Sequence, residues 1–252
     1  MNPASLTAQQ QLTQQLIEQS KLLPKQDLVH LVVAPTLLHL QSVQTQLQHA
    51  TSAIQVAAQD ISRFPDTGAY TGDVSAQLLV AAEVKITLVG HSERRSFYAE
   101  DADTLIKKIQ NATHAGLKVV FCVGETLAQR EAGQAEAVVL QQLDEVFHSI
   151  DLSVWQQQMI VAYEPVWAIG TGKTASPEDA ESMHAAIRAG LKLYHSSLAS
   201  VPILYGGSVK PDNAASLAAC DNINGALVGG ASLDAYSFIH IAQAFGQHYQ
   251  IG

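Results

Sequence analysis

The sequence predicts an α/β protein of the (β/α)8 barrel class. Seven short segments rich in Val, Ile and Leu barely alternate between apolar and polar residues, which is typical of parallel strands buried on both faces. Longer amphipathic segments between them predict helices outside the sheet. Glu164 and two Gly-Gly pairs, 206–207 and 229–230, directly follow predicted strands. Functional residues at the carboxyl ends of strands are typical of barrels, and the Gly-rich first turn of a dinucleotide fold is absent. Both observations favour a barrel over an open doubly wound sheet.

The predicted strands and helices alternate along the whole chain. In order, the strands are 28–34, 53–58, 86–90, 117–123, 158–163, 201–205 and 225–228. The eight predicted helices are 5–20, 41–48, 74–82, 101–115, 127–150, 177–196, 211–219 and 234–249. Ser5 is a favourable N-cap, and Pro177 and Pro211 fit a first helical turn, where a missing N–H costs nothing. The excess of one helix matches a (β/α)8 barrel without its first strand, so we expect a single domain over 1–252 that lacks its N-terminal strand.

Composition and charge exclude several classes of partner. The net charge of −9 disfavours nucleic acid and anionic membranes, and no window approaches the roughly 20 apolar residues of a membrane span. The sequence contains no HExxH, CxxC or carboxylate cluster, so no metal is implied. Cys122 and Cys220 are expected to be free thiols, and Cys122 is expected to be a packed strand residue rather than a nucleophile. The Gln-rich N-terminus does not resemble a signal peptide, and we expect a cytoplasmic protein.

Glu164 is the first candidate catalytic residue. It ends the apolar segment 159–163, and Pro165 after it prevents further strand pairing. The loop that follows is unusually apolar and contains two glycines, which is typical of a lid that closes over a site. A carboxylate at a strand end beneath a lid indicates proton transfer shielded from water. The alternative is a strand end with a solvated Glu side chain beside a packed turn. The apolar residues of this loop are Val166, Trp167, Ala168 and Ile169, and its glycines are Gly170 and Gly172.

His91 is the second candidate catalytic residue, in the segment Gly-His-Ser-Glu-Arg-Arg after the strand 86–90. Ser92 is expected to cap a helical turn, with Glu93 favourable near its positive end. A helix N-terminus disfavours an imidazolium, so His91 is expected to act as a neutral hydrogen-bond donor; a capping turn with an incidental His is the alternative. Ser92, Glu93 and Glu125 are possible supporting groups, although helix-start or surface roles fit them equally well.

Two glycine pairs and one loop suggest binding surfaces. The pairs 206–207 and 229–230 follow the last two predicted strands and begin short helices. Backbone N–H groups at a helix start suit a phosphate. The alternative is that the glycines only form tight turns between strand and helix. The segment 68–73 has glycines on both sides of Tyr70 and Thr71, which predicts a projecting loop. Its tip is either an exposed turn or an insertion into a partner.

These segments together resemble the triosephosphate isomerase family, and the resemblance extends from residue 3 to nearly the end of the chain. The segments that carry it are 68–72, 90–95, 116–125, 162–173, 205–209 and 225–233. The resemblance implies interconversion of dihydroxyacetone phosphate and glyceraldehyde 3-phosphate without cofactor or metal. A carboxylate base, a neutral histidine and a closing loop are well-known features of this family, so these roles follow from the resemblance as well as from the residues.

The resemblance also assigns roles to individual residues. Glu164 matches the base and His91 the electrophile that polarises the carbonyl. Segment 167–173 matches the lid, and Tyr70, Thr71 and Gly72 match a loop inserted into the partner of a homodimer. The backbone grip on the phosphate is matched by Gly170, Ser208, Gly229 and Gly230.

One departure from the family pattern concerns its first strand, which ends in Asn-Trp-Lys. Met1, Asn2 and Pro3 match the residues just after that Lys, so we expect the strand, its substrate-orienting Asn and its Lys to be missing. The alternative to a working isomerase is therefore a catalytically impaired or inactive barrel derived from one. The intact Glu164, His91 and lid favour the working enzyme, because a binding protein has no need of a base under a lid.

Overall fold

The structure is a computed structural model that describes residues 1–23, 29–168 and 175–251, and its centre is a sheet of seven parallel strands. The strands are β1 (Val32–Val33), β2 (Gln55–Ala58), β3 (Ile86–Val89), β4 (Lys118–Val123), β5 (Met159–Tyr163), β6 (Ile203–Tyr205) and β7 (Gly225–Ala226). They are hydrogen-bonded in chain order, and every pair is parallel. All the carboxyl ends therefore meet at one edge, where residues that follow different strands can form one site.

Helices connect the strands throughout the described part of the chain. They are α1 (Leu6–Ser20), α2 (Leu37–His49), α3 (Ala76–Ala81), α4 (Ser92–Phe97), α5 (Ala102–His114), α6 (Leu127–Glu131), α7 (Ala135–Phe147), α8 (Leu152–Gln157), α9 (Pro177–Tyr194), α10 (Pro211–Ala218) and α11 (Ala235–Ile251). Ser5 caps α1 by accepting the N–H of Ala8, and Pro177 and Pro211 lie in the first turns of α9 and α10, as predicted.

The helix pattern differs from the prediction in four places, and the first is that α2 begins at Leu37 rather than at 41. The predicted helix 127–150 is two helices, α6 and α7, with Gly133 between them at φ +70°, a left-handed conformation that favours glycine. The short helices α4 and α8 were not among the eight predicted. Each buries a single side chain, Ser92 in α4 and Trp155 in α8, so neither has an apolar periodicity for the sequence to reveal.

Both faces of the sheet are buried, as the apolar strand segments predict. In β4, Val119, Phe121 and Val123 pack in the main core, which includes residues of the surrounding helices. The alternate residues Val120 and Cys122 pack in a smaller cluster that contains only strand side chains among its buried members. This period of two places one row of each strand against the helices and the other on the opposite, inner face.

Among the described residues, β1 and β7 are the edge strands of the sheet. Both are shorter than predicted: the segment 28–34 forms a strand only over Val32–Val33, with residue 28 outside the described part, and 225–228 only over Gly225–Ala226. The first residues lie at the carboxyl end of β1, where the Met1 amino group donates to the carbonyl of Ala34 at 2.9 Å. Among the described residues, no helix is both long and apolar enough to cross a membrane.

Candidate active site

Glu164 and His91 meet at the carboxyl edge of the sheet. His91 follows β3 and Glu164 follows β5, and Nε2 of the imidazole lies 2.9 Å from Oε1 of the carboxylate. The other carboxylate oxygen, Oε2, accepts the backbone N–H of Ser92 at 2.9 Å. Only 2% of Glu164 is exposed. The two candidate catalytic residues, separated by 73 positions in the chain, thus form one pair of a buried carboxylate and a half-buried imidazole.

The residue that caps α4 is His91 and not Ser92, which corrects the expected cap. Nδ1 of His91 accepts the N–H of Glu93 at 3.3 Å, and Ser92 is already the first helical residue. The N–H of Ser92 is therefore one of the free groups of the first turn, and it reaches Glu164. Because Nδ1 accepts a hydrogen bond, we assign the imidazole proton to Nε2, facing the carboxylate.

Opposing effects act on the charge of His91. Burial lowers the pKa of the imidazole, but the hydrogen bond to Glu164 and the charges of Glu164 and Glu93 raise it, and the net pKa lies above its ordinary value. The Glu93 side chain is mostly exposed, with Oε2 3.8 Å from Nδ1 of His91. The direct contact with Glu164 is thus the main cause of the raised pKa. An Nδ1 atom that accepts a hydrogen bond carries no proton, and this contact favours the neutral ring.

Glycines on both neighbouring strands allow the backbone of Glu164 to lie where it does. A Cβ on Gly124, after β4, would overlap the carbonyl of Glu164. A Cβ on Gly206, after β6, would lie 2.9 Å from Cγ of Glu164 and 3.1 Å from the carbonyl of Tyr163. The 2.9 Å distance is shorter than real Cβ contacts, and the 3.1 Å distance is tighter than most of them. Gly124 was not recognised as a site residue in the sequence, although its position at the end of β4 could have indicated a close approach.

Glu125 anchors the segment that follows Glu164. This carboxylate is fully buried, and its Oε1 accepts the hydroxyl of Tyr163 at 3.1 Å and the indole N–H of Trp167 at 2.8 Å. Arg130 lies 4.6 Å from the Trp167 ring, donates to Glu125 at 3.3 Å and pairs with Asp179 at 2.7 Å. Glu125 is therefore a buried support at the beginning of the expected lid, which decides between the roles that the sequence left open.

The expected lid lies only partly in the described structure. Trp167 and Ala168 belong to a 3₁₀ turn, Val166–Ala168, and Ala168 is buried. Ile169, Gly170, Thr171, Gly172 and Lys173 lie outside the described residues. The expected phosphate contact of Gly170 therefore also lies outside the described residues.

The other expected phosphate residues follow β6 and β7, next to Glu164 in the strand order. Ser208 is half-buried, and its carbonyl accepts the amide of Asn213 at 2.9 Å. Gly229 caps a 3₁₀ turn that begins at Gly230, and a Cβ on either glycine would meet no atom of the described residues within 4 Å. Open space above two backbone N–H groups suits a ligand that approaches the main chain.

The pair 206–207 has a different reason for being glycine. A Cβ on Gly207 would overlap the Tyr205 hydroxyl and lie 3.0 Å from Cγ of Pro165, and Gly206 accommodates Glu164. The chain's own atoms thus fill the space beside both glycines. The expectation that this pair leaves room for a ligand is not supported, because it instead gives room to the catalytic segment.

Two arginines near the site have structural partners. Arg94 pairs with Asp60 and Glu100 at 2.8 and 2.7 Å, and Arg95 donates to the carbonyls of Gly90 and Cys122.

Cys122 is fully buried, and burial together with the charge of Glu164 raises the pKa of its thiol well above the ordinary value. A thiol that stays protonated fits the expected packing role. No group of three His, Cys, Asp or Glu placed to hold a metal ion occurs among the described residues.

A parallel α/β sheet with a Glu–His contact at its carboxyl edge is typical of barrel enzymes that use acid–base chemistry. The sequence profile of the triosephosphate isomerase family matches residues 1–245. The chain therefore belongs to the triosephosphate isomerase family, and the predicted (β/α)8 barrel class is confirmed.

Individual relatives agree with the family profile. A protein of Acinetobacter baumannii (strain ATCC 17978) named triosephosphate isomerase is 52% identical over 252 residues, covering 98% of this chain and 94% of its own. One from Rhizobium etli with the same name is 51% identical over 229 residues, covering 90% of this chain and 100% of its own. A third, from Psychrobacter sp., is 44% identical over 253 residues, covering 97% and 96% of the two chains.

Proposed function

We propose that this chain interconverts dihydroxyacetone phosphate and D-glyceraldehyde 3-phosphate by moving a proton between adjacent carbons through an enediolate. The observation that carries the proposal is the contact of the buried Glu164 with the half-buried His91, with 2.9 Å between carboxylate and imidazole. Isomerisation of an α-hydroxy carbonyl needs one group that takes a proton from carbon and one that donates a hydrogen bond to oxygen. The pair supplies both, and neither group needs a cofactor.

Glu164 is the base in this reaction. Its burial supports the role, because a site without water protects the enediolate from side reactions. The carboxylate now accepts hydrogen bonds from Ser92 N–H and His91 Nε2. To take a proton from a substrate carbon it must leave at least one of these donors, so substrate binding exchanges a protein contact for a substrate contact.

His91 is the electrophile. In the structure its Nε2–H points at Glu164, and the same donor serves a substrate carbonyl oxygen once the carboxylate has moved. The move also removes the contact that raises the pKa of His91, while the N–H of Glu93 continues to donate to Nδ1. Both effects favour a neutral imidazole in the complex, which can donate a proton to one oxygen and regain it from the other.

Backbone N–H groups of Gly170, Ser208, Gly229 and Gly230 hold the substrate phosphate. The open space beside Gly229 and Gly230 supports this for the two groups after β7. Residues 167–173 form the lid, and the hydrogen bond of Trp167 to the buried Glu125 supports a fixed beginning for it. A lid excludes water and retains the enediolate until the proton has been returned.

The active form is a homodimer in the cytoplasm, in which each chain is one domain over 1–252. The free thiols of Cys122 and Cys220 support a reducing compartment. The exposed loop with Tyr70, Thr71 and Gly72 supports the dimer, since it projects from the surface and Gly72 has φ +93°. Only glycine adopts this left-handed conformation at low cost.

The test is turnover of the purified chain with each triose phosphate, beside the variant Glu164→Asp. Shortening the side chain by one methylene moves the carboxylate by about 1 Å, and we expect turnover to fall about 100-fold. Glu136→Asp, in the exposed first turn of α7, is the matched control and should retain parental turnover. Turnover of Glu164→Asp within threefold of the parent would contradict the assignment of the base.

A further inference from the structure

Arg95 joins the carboxyl ends of two neighbouring strands. It lies on α4, and its Nε donates to the carbonyl of Gly90, directly after β3, at 2.8 Å. Its Nη2 donates to the carbonyl of Cys122, near the end of β4, at 2.9 Å. The guanidinium also lies 5.7 Å from the ring centroid of the buried Phe121. A planar group with donors in fixed directions can hold both carbonyls at once.

Main-chain carbonyls hold the Arg95 guanidinium in place. None of the ion pairs within 4 Å among the described residues includes Arg95, whereas its neighbour Arg94 pairs with Asp60 and Glu100. Arg95 is half-buried, and burial lowers the pKa of its guanidinium from the ordinary value. Withdrawing a cation from water costs free energy, so the two carbonyl contacts have to offset that cost.

The first of these carbonyls belongs to the peptide group directly before His91. Gly90 has φ +77°, a left-handed conformation that favours glycine. A Cβ on Gly90 would lie 3.1 Å from Nη2 of Arg95 and 3.3 Å from the carbonyl oxygen of Cys122. The Gly90 backbone therefore packs directly against the guanidinium, and this contact fixes the direction in which the chain continues to His91.

The second carbonyl lies in the strand that supports Glu164. Strand β4 lies between β3 and β5 in the sheet. The backbone N–H of Glu164 donates to the carbonyl of Val123, the residue after Cys122, at 2.8 Å. Arg95 thus connects the backbone before His91 to the strand on which the backbone of Glu164 rests.

This backbone connection matters because the side-chain contact of His91 with Glu164 does not persist through the proposed reaction. When the carboxylate turns to a substrate carbon, Nε2 of His91 loses its partner at 2.9 Å. The ring retains the hydrogen bond from the N–H of Glu93, which at 3.3 Å is long. The position of the imidazole then depends on the backbone that carries it.

We infer that Arg95 is a positioning residue for the isomerisation: by holding the carbonyls of Gly90 and Cys122, it keeps the His91 imidazole at the substrate oxygens after Glu164 has moved. The inference rests on the function proposed above. A displacement of about 1 Å at a catalytic group can lower the rate about 100-fold. The proposed phosphate contacts follow β6 and β7, which Arg95 does not join, so substrate affinity should not depend on it.

The experiment measures kcat and KM for D-glyceraldehyde 3-phosphate with the full chain, Arg95→Lys and Arg188→Lys. A lysine ammonium keeps the charge but lacks the planar fork that holds both carbonyls, so we expect kcat to fall about 10-fold with KM within about twofold of the parent. Arg188→Lys is the matched control, because Arg188 donates to the carbonyls of Ala199 and Val201, before β6, at the opposite edge of the sheet. It should lower the melting temperature and leave kcat and KM unchanged.

Rates refer to the folded fraction, measured by circular dichroism at the assay temperature, so a loss of stability does not count as a loss of turnover. A parent chain without isomerase activity would overturn the proposed function and this inference with it. An active parent whose Arg95→Lys variant keeps the parental kcat, or changes KM instead, would overturn the inference alone. The same conclusion would follow from an equal fall of kcat in both variants or from an Arg95→Lys chain that does not fold, because Arg95 would then serve general stability.

Discussion

Two protein groups hold the Glu164 carboxylate, and in the proposed mechanism a substrate has to replace at least one of them. The N–H of Ser92 and Nε2 of His91 each lie 2.9 Å from one of its oxygens. Both oxygens of this buried side chain therefore have a hydrogen-bond partner without ligand. The proposed mechanism requires a substrate to offer new contacts before the carboxylate leaves these partners.

The sequence predicts both members of this pair but not their contact. Each follows an apolar strand segment, which is visible in the chain. That their side chains meet depends on β3 and β5 flanking β4 in register, with Val89 beside Phe121 and Phe121 beside Val161. The role of Glu125 was also open, because only the packed structure brings Tyr163 and Trp167 to its carboxylate.

His184 provides a prediction about pH and stability. It is fully buried on α9 with Nδ1 2.7 Å from the carbonyl of Ala180, and burial lowers the pKa of its imidazole to about 4 from 6.5. Below pH 6.5 the unfolded chain binds a proton that the folded chain does not. The free energy of unfolding is therefore complete above pH 6.5 and falls as the pH is lowered towards 4.

Urea unfolding at pH 7 and pH 5 measures this contribution. Between these values the parent should lose about 2 kcal/mol more than His184→Gln, whose side chain cannot be protonated. His114→Gln, at an exposed position on α5, should lose as much as the parent. An equal loss in the parent and His184→Gln would show that another group causes the acid sensitivity.

At the scale of elements, apolar segments predict where strands lie better than where they end. All seven predicted strands exist, but β1 and β7 contain only two residues each. Pairing ends where the neighbouring strand ends, so the bounds depend on register, which one segment does not contain. The predicted helix 127–150 is interrupted at Gly133, whose φ is positive. Glycine permits this conformation but does not impose it, so the sequence alone does not predict the interruption.

The glycines after β6 and β7 differ in what surrounds them, and this yields a paired prediction. Gly206→Ala places a Cβ 2.9 Å from Cγ of Glu164, so we expect displacement of the carboxylate and a turnover about 10- to 100-fold lower. Gly229→Ala adds a methyl group that meets no atom of the described residues within 4 Å, so the Glu164 carboxylate should keep its position in this variant.

Steady-state kinetics and thermal melts of both variants separate the two roles. The Gly229→Ala methyl group covers the proposed phosphate position, and the KM should rise about tenfold, equivalent to about 1.4 kcal/mol of binding. Parental turnover in Gly206→Ala would show that Glu164 tolerates the close approach. A parental KM in Gly229→Ala would place the phosphate elsewhere.

At the scale of the whole molecule, the parallel sheet explains why a site can form from distant residues. His91, Glu164, Ser208 and Gly229 follow four different strands, and parallel pairing brings the four strand ends to one edge. The barrel class was predictable because the strand segments are mainly apolar without alternation and each candidate residue follows one.

The central claim is that Glu164 moves a proton between adjacent substrate carbons, and isomerisation in D₂O tests it most directly. The purified chain is given D-glyceraldehyde 3-phosphate in D₂O, and the dihydroxyacetone phosphate formed is examined by proton NMR. A carboxyl group that carries the proton can exchange it with solvent, so we predict deuterium at C1 of the product. Glu164→Gln should abolish both conversion and deuterium incorporation. Conversion with deuterium in neither product nor recovered substrate, or undiminished conversion by Glu164→Gln, would contradict the account.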